Sequence, residues 1–233
     1  MKKLQKRNKY RAVIFDMDGT ILDTIEDLTD SLNHCLARFG CKADFNEGEV
    51  CSFFGSGAEV AITRALAAGS AEDLASCSES LIPEILDYFK SYYAVHCDIK
   101  TGPFAGIPEL LSALTAGGIK TAVISNKPDV AVQRLCRDHF PGLFAYYAGE
   151  RDGIPKKPSP VMIHQALHHL DVCPEEAVYV GDSEVDIRTA ANSGLDLICV
   201  DWGFRSRNDL LSHGAGRIVS DCDQLMSALG ISF

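Results

Sequence analysis

From residue 119 to residue 229, short apolar runs alternate with stretches of helical periodicity, and this alternation constrains the fold more than any other feature. IKTAVIS (119–125), AVYVGD (177–182) and LDLICVD (195–201) read as strands, with shorter extended pieces at FAYYAGE and RIVSD. Helices are predicted over 108–117, 129–139, 160–170, 184–193, 206–213 and 222–229. Such units close through right-handed crossovers, so the pattern predicts an α/β fold: a doubly wound parallel sheet with helices on both faces. One more strand, Arg11 to Asp16, stands apart near the N-terminus.

The intervening chain has a different character. A helix is predicted to start near Asp23 or Thr24, where Thr24 and Asp27 have the spacing of a capping box. Its apolar face reads Ile25, Leu28, Leu32, Cys35, Leu36 and Phe39, and Gly40 is placed to stop it. From Cys41 to Asp98 the pattern stays helical, with pieces at Val60–Leu66 and Leu81–Tyr93 joined by the small-residue connector GSAEDLASCSES. TGPFAGIPE, rich in glycine and proline, then reads as a linker. The expected organisation is a core domain formed by residues 1–22 and 101–233, with an inserted α-helical domain over 23–100.

Composition narrows the function. A net charge of −10 disfavours nucleic acid or an anionic membrane as partner, because a phosphate backbone needs a basic face. No apolar run approaches the roughly 18 residues that span a bilayer. The basic start MKKLQKRNKYR is followed by only four apolar residues before Asp16, too few for a signal peptide. The nine cysteines are scattered without a C-x-x-C pair, which points to small buried side chains in a cytoplasmic, reducing setting.

The chemistry begins at RAVIFDMDGTILDT, where a buried strand runs straight into Asp16, and Asp18 and Gly19 follow. Acids at such a position either form a turn or do chemistry, and a bare D-x-D does not choose between them. The complete string, an apolar strand followed by D-x-D-G-T, a hydrophobic residue and a further Asp, is far more specific. With it go Ser125 at the end of TAVIS, Lys157 in KKPSP, and Asp182 and Asp186 in GDSEVD. Together these motifs resemble the haloacid dehalogenase superfamily of aspartate-dependent phosphohydrolases, in the expected order and over nearly the whole chain. In this resemblance the helical insert corresponds to the superfamily's cap.

The resemblance implies a role for each position. Asp16 is the nucleophile that forms an aspartyl-phosphate, and Asp18 is the acid and base. Ser125 binds a phosphoryl oxygen, and Lys157 neutralises its charge. Mg²⁺ is the implied cofactor, held by Asp16, Asp182 and the backbone carbonyl of Asp18. Asp186 supports the metal or the lysine, although with Ser183 it also spells a capping box. Ser159 and Pro160 read as an N-cap and first-turn pair that puts Lys157 beside a positive helix end. Thr20, Asn126, Gly57 and Arg64 are the candidate substrate contacts. Gly57 belongs to FFGSGAEV, which lacks the third glycine of a dinucleotide loop and instead resembles a G-N-G-A segment, with Ser56 in place of Asn. The His164/His168 pair points away from the apolar face of its helix, which argues against a metal site there.

SNKPD and WGFR resemble the phosphoglycolate phosphatase branch, so 2-phosphoglycolate is the leading substrate, ahead of sugar phosphates, nucleotides and pyrophosphate. The partner is thus a small phosphorylated metabolite, handled by a monomer or homodimer. A β-phosphoglucomutase-like phosphomutase shares these motifs, and a catalytically silent regulatory protein is the rival from another class. Haloacid dehalogenases themselves lack the second aspartate, so Asp18 argues against that reaction.

Overall fold

A computed structural model describes residues 9–69 and 81–231; most of the GSAEDLASCSES connector and the basic N-terminal residues lie outside them. The chain runs β1 (Ala12–Phe15), β2 (Leu22–Asp23), α1 (Ile25–Arg38), α2 (Glu47–Phe53), α3 (Ala58–Gly69), α4 (Leu81–His96), β3 (Gly102–Pro103) and α5 (Ile107–Ala116). It continues with β4 (Lys120–Pro128), α6 (Asp129–His139), β5 (Tyr146–Glu150), α7 (Val161–Leu170) and β6 (Ala177–Gly181). α8 (Glu184–Ser193), β7 (Asp196–Val200), α9 (Arg207–Ser212), β8 (Ile218–Val219) and α10 (Cys222–Leu229) complete it.

Six strands form one sheet in the order β5-β4-β1-β6-β7-β8, and every pairing in it is parallel. The sheet is doubly wound as expected. β1 lies at its centre, and the chain builds outward first through β4 and β5, then through β6, β7 and β8. Alternation along β1 sends Val13 and Phe15 to one apolar cluster and Ala12 and Ile14 to the other. The first face is covered by Leu110, Leu111 and Leu114 of α5 with Val132 and Leu135 of α6, the second by Met162, Ile163, Ala166 and Leu167 of α7. His164 and His168 are exposed, as their spacing predicted.

Phe15 pairs with Val123 on one side and Val180 on the other, so Asp16, Ser125 and Asp182 all emerge beyond the same sheet edge. That edge, where strand order reverses, is where sheets of this class hold ligands.

α1 to α4 form the inserted helical unit. Leu28, Leu32, Cys35 and Leu36 of α1 pack with Ile62 and Leu66 of α3 and Ile85, Phe89 and Tyr93 of α4, continuous with the core of the sheet's first face. The two crossings between the units pair as β2 and β3, an antiparallel ribbon of two residues each. Two strands this short carry no periodicity, and the sequence reading missed them. It also missed α2, although Asn46 and Glu49 make a complete capping box.

The predicted Thr24–Asp27 box is not formed: Thr24 makes no side-chain cap. The Asp27 carboxylate instead crosses to the second linker and accepts from the amides of Ile99, Lys100 and Thr101 at 2.9–3.1 Å and from Thr101 Oγ1 at 2.8 Å. Burial works against its charge, but these donors overcome it and depress the carboxyl below the ordinary aspartate range. A group so depressed contributes stability at neutral pH that is lost as pH falls through its folded value. Asp27→Asn, which trades one acceptor oxygen for a donor, is expected to cost about 1–3 kcal/mol at pH 7 in urea unfolding. The difference from wild type should shrink in acid as Asp27 itself takes a proton.

Candidate active site

Asp16 follows β1 and is buried, with Met17 N donating to its Oδ1 at 2.7 Å. Lys157 Nζ lies 2.9 Å from the same oxygen, and among the described residues nothing donates to Oδ2. Lys157 is itself buried beneath Asp16, with its ammonium also 2.9 Å from Asp186 Oδ1 and 2.9 Å from the Tyr179 hydroxyl. Burial opposes this charge, but Asp16 and then Asp186 outweigh it and hold the lysine above its usual range.

Lys157 reaches this place differently from the sequence reading. Pro160, not Ser159, is the N-cap residue of α7, and it has helical backbone angles and no side-chain cap. Asn126 positions the lysine instead: its Oδ1 accepts from Lys157 N at 2.9 Å, and its Nδ2 donates to Lys157 O at 3.0 Å. The charge meets two carboxylates rather than a helix end.

The Ser183–Asp186 capping box is present. Asp186 Oδ2 accepts from Ser183 Oγ at 2.6 Å and from the amides of Asp182 and Ser183, while Oδ1 faces Lys157 and Tyr179. Both oxygens are therefore engaged. Asp182 Oδ1 accepts from Thr20 Oγ1 at 3.0 Å and Oδ2 from Phe204 N at 2.7 Å. The chain closes tightly here: a Cβ on Gly203 would lie 2.1 Å from Gly19 O and 2.5 Å from Asp182 Oδ2. Gly19 also has φ +74, so the D-G step needs glycine for its turn as well as for its proximity to Asp182.

One oxygen each from Asp16, Asp182 and Asp186 lies within 4.8 Å of the others. Burial first, and then the neighbouring carboxylates, raise the Asp182 carboxyl well above its usual range. Burial also pushes Asp16 up to about 7, even against Lys157. Three buried carboxylates thus face one ammonium. An all-oxygen donor set with an excess of negative charge suits a hard divalent cation. The Asp16, Asp182 and Asp186 triad could hold such a cation, and its chemistry fits Mg²⁺.

Above this floor is a cavity partly open to solvent. Asp16, Asp18, Ser125, Lys127 and Asp182 line it from the sheet side, while Leu28, Phe54, Ala58, Phe89 and Tyr93 cover it from the helical insert. Ser125 Oγ accepts from Lys127 N at 3.2 Å. Asp18 Oδ1 accepts from Thr24 Oγ1 at 2.7 Å and lies 2.8 Å from Lys127 Nζ. Gly57 is on the wall. Asn126 is on the wall too, and it and the two remaining predicted substrate contacts also hold protein partners. Thr20 supports Asp182, Asn126 clamps Lys157 and reaches Gly55 O at 3.3 Å, and Arg64 Nη1 donates to Ser52 O and Phe53 O at the end of α2. Arg64 is not on the cavity wall.

The sequence reading passed over Lys127, Tyr93, Tyr179 and Arg205. Lys127 stands two residues beyond Ser125 in an extended segment, a spacing that puts it on the same side of the strand, so a signal was there. Arg205 ties the two units together: Nε is 2.8 Å from Glu184 Oε2, Nη2 is 2.9 Å from Phe54 O, and Nη1 donates to Cys51 O.

A parallel sheet of this order, a D-x-D-G-T turn at its central strand and a helical insert over the same edge are joined by one further finding. The description of the haloacid dehalogenase-like hydrolases matches residues 13–200. The chain belongs to the haloacid dehalogenase-like hydrolase family. A phosphoglycolate phosphatase of Colwellia psychrerythraea is 30% identical over 96% of this chain and 99% of its own length. The crystal structure of a Lactobacillus delbrueckii subsp. bulgaricus protein, provisionally assigned as a phosphoglycolate phosphatase, superposes with a TM-score of 0.89 at 46% identity. That match covers 95% of this chain and 98% of the other. CbbY from Rhodobacter sphaeroides, solved in complex with phosphate, superposes at 0.77 with 26% identity, over 95% and 100% of the two chains. Among the described residues of this hydrolase, no helix is long and apolar enough to cross a membrane.

A cation that uses Asp16 would displace a proton from it below about pH 7, and one that also uses Asp182, whose carboxyl burial raises well above its usual range, would compete with a proton there as well. Apparent Mg²⁺ affinity is therefore expected to fall by up to about tenfold per pH unit on the acid side for each proton displaced. Calorimetric titration across the neutral range measures this, with proton release that diminishes as pH rises.

Proposed function

We propose that this hydrolase is a Mg²⁺-dependent phosphatase of small phosphomonoesters that works through an aspartyl-phosphate on Asp16, with 2-phosphoglycolate as its substrate. One observation carries the reading: Lys157 and Met17 N pin Asp16 Oδ1, no described residue donates to Oδ2, and Asp16 lines a cavity shared with Asp18. A carboxylate with one oxygen tied and the other free is oriented for in-line attack. Bound Mg²⁺ supplies charge neutralisation at the transferring phosphoryl group.

Asp16 Oδ2 attacks phosphorus as the bond to the leaving oxygen breaks, and Asp18 delivers a proton to that oxygen. Ser125 donates its hydroxyl to a phosphoryl oxygen. Water then attacks the aspartyl-phosphate, Asp18 takes its proton, and phosphate leaves with Asp16 restored. Lys157 holds Asp16 throughout rather than meeting the substrate, since its ammonium is committed to Asp16, Asp186 and Tyr179. Asp186, with both oxygens engaged, positions Lys157 and the Asp182–Ser183 turn instead of binding the cation. The helical insert excludes water during transfer, and its division from the core near residues 22–23 and 100–102 supplies the hinge. The names of the Colwellia and Lactobacillus relatives support the substrate.

Asp16→Asn is expected to lower Mg²⁺-dependent phosphate release by at least about 10³-fold with an unchanged circular dichroism spectrum. Appreciable turnover by that variant would remove Asp16 as nucleophile. In a screen of small phosphates, 2-phosphoglycolate should give the highest kcat/KM. Product that retains its phosphate, in a reaction dependent on a bisphosphate, would point to a mutase instead.

A further inference from the structure

The mechanism above leaves one charged group on the cavity wall without a task. Lys127 is the only cation lining the cavity among the described residues, and its side chain is 2% exposed. Its ammonium lies 2.8 Å from Asp18 Oδ1 and 2.5 Å from the Tyr93 hydroxyl of α4, so it stands where core and insert meet. The backbone beneath it is pinned. Lys127 N donates to Ser125 Oγ, Gly149 N donates to Asp129 Oδ1 at 2.7 Å, and a Cβ on Gly149 would lie 2.4 Å from Lys127 O.

Charge and lining decide what such a group can read. The phosphoryl end has Ser125 and the cation site. The far end of a bound ester would meet Leu28, Phe54, Ala58 and Phe89, which offer no side-chain donor, and the Tyr93 hydroxyl that Lys127 already meets; Asn126, also on the wall, spends its amide donors on Gly55 O and Lys157 O. A second anionic group there has one ammonium within the cavity to pair with. A buried ammonium gives up a carboxylate at little cost only when another anion replaces it.

We propose that Lys127 is the specificity-determining residue, exchanging Asp18 for a carboxylate on the non-reacting part of the substrate. This rests on the phosphatase reading and extends it to the chemical class selected: short phosphate esters that carry a carboxylate. The exchange leaves Asp18 Oδ1 with Thr24 Oγ1 alone, so the acid is released from its ion pair only when a substrate of this class is present. Tyr93, which shares the ammonium, carries the same event to the insert.

The test compares kcat/KM for 2-phosphoglycolate and for ethyl phosphate, which replaces the carboxylate by a methyl group. Wild type should prefer the former, and Lys127→Met should lower that ratio on the order of 10–100-fold, the worth of one charge-assisted hydrogen bond. Lys127→Arg should restore part of the ratio. Tyr93→Phe, which cuts the tie to the insert and keeps the ammonium, should retain it. If Lys127→Met does not fold, Lys127→Gln reads the same ratio. An equal fall for both esters would make Lys127 structural and overturn the assignment. A wild type active on both esters without preference overturns it too and leaves the phosphatase reading standing. A wild type inactive on every phosphate ester sinks both.

Discussion

The ion cluster around Lys157 holds the rest of the site in place. A buried ammonium without a partner is prohibitively costly, so the loops after β1, β5 and β6 must converge on it. Asp16 comes from the first, Lys157 from the second and Asp186 from the helix after the third, and each meets the ammonium at 2.9 Å. Asn126 locks the lysine backbone from β4. The same contacts that satisfy Lys157 fix the rotamer of Asp16 and leave one oxygen for chemistry. Stability and reactivity here share a set of bonds.

The insert is held to this edge by few but specific ties. Arg205 binds Glu184 on the core and two carbonyls of the insert, Asn126 reaches Gly55 O, and Lys127 joins Asp18 to Tyr93. Asn126 and Lys127 line the cavity, whereas Asp27 of α1 fastens the linker at residues 99–101. Polar ties at the cavity and a strong latch at the hinge suit a lid that opens about its linkers. Leu28, Phe54 and Phe89 give the site an apolar wall on the side of the insert.

Much of this was legible in the chain. Strand–helix alternation placed α6, α8 and α10 at their observed bounds, and the D-x-D-G-T string marked the turn that follows the central strand β1. The misreadings share a cause: polar residues near helix starts were assigned the nearest local partner. Thr24, Asp27 and Ser159 have capping spacing, yet Thr24 serves Asp18 and Asp27 serves a linker 72 residues away. Thr20 and Asn126 are expected as substrate contacts, and Asn126 does line the cavity. In the folded chain they support Asp182 and Lys157, neighbours 162 and 31 residues distant. Local spacing says which bonds a side chain could make, and long-range packing says which it does make.

By itself the sequence determined the sheet, the helical insert and the identity of the acids at the strand ends, because period and strand-terminal position are local properties. Which groups face the cavity was settled by tertiary structure alone. Lys157 reaches Asp16, Asp186 meets the same ammonium while staying beside Asp16 and Asp182, and Lys127 is the cation on the wall. The physical reason is that a buried charge takes its orientation from the partners that neutralise it, and those partners meet only when distant strands pair.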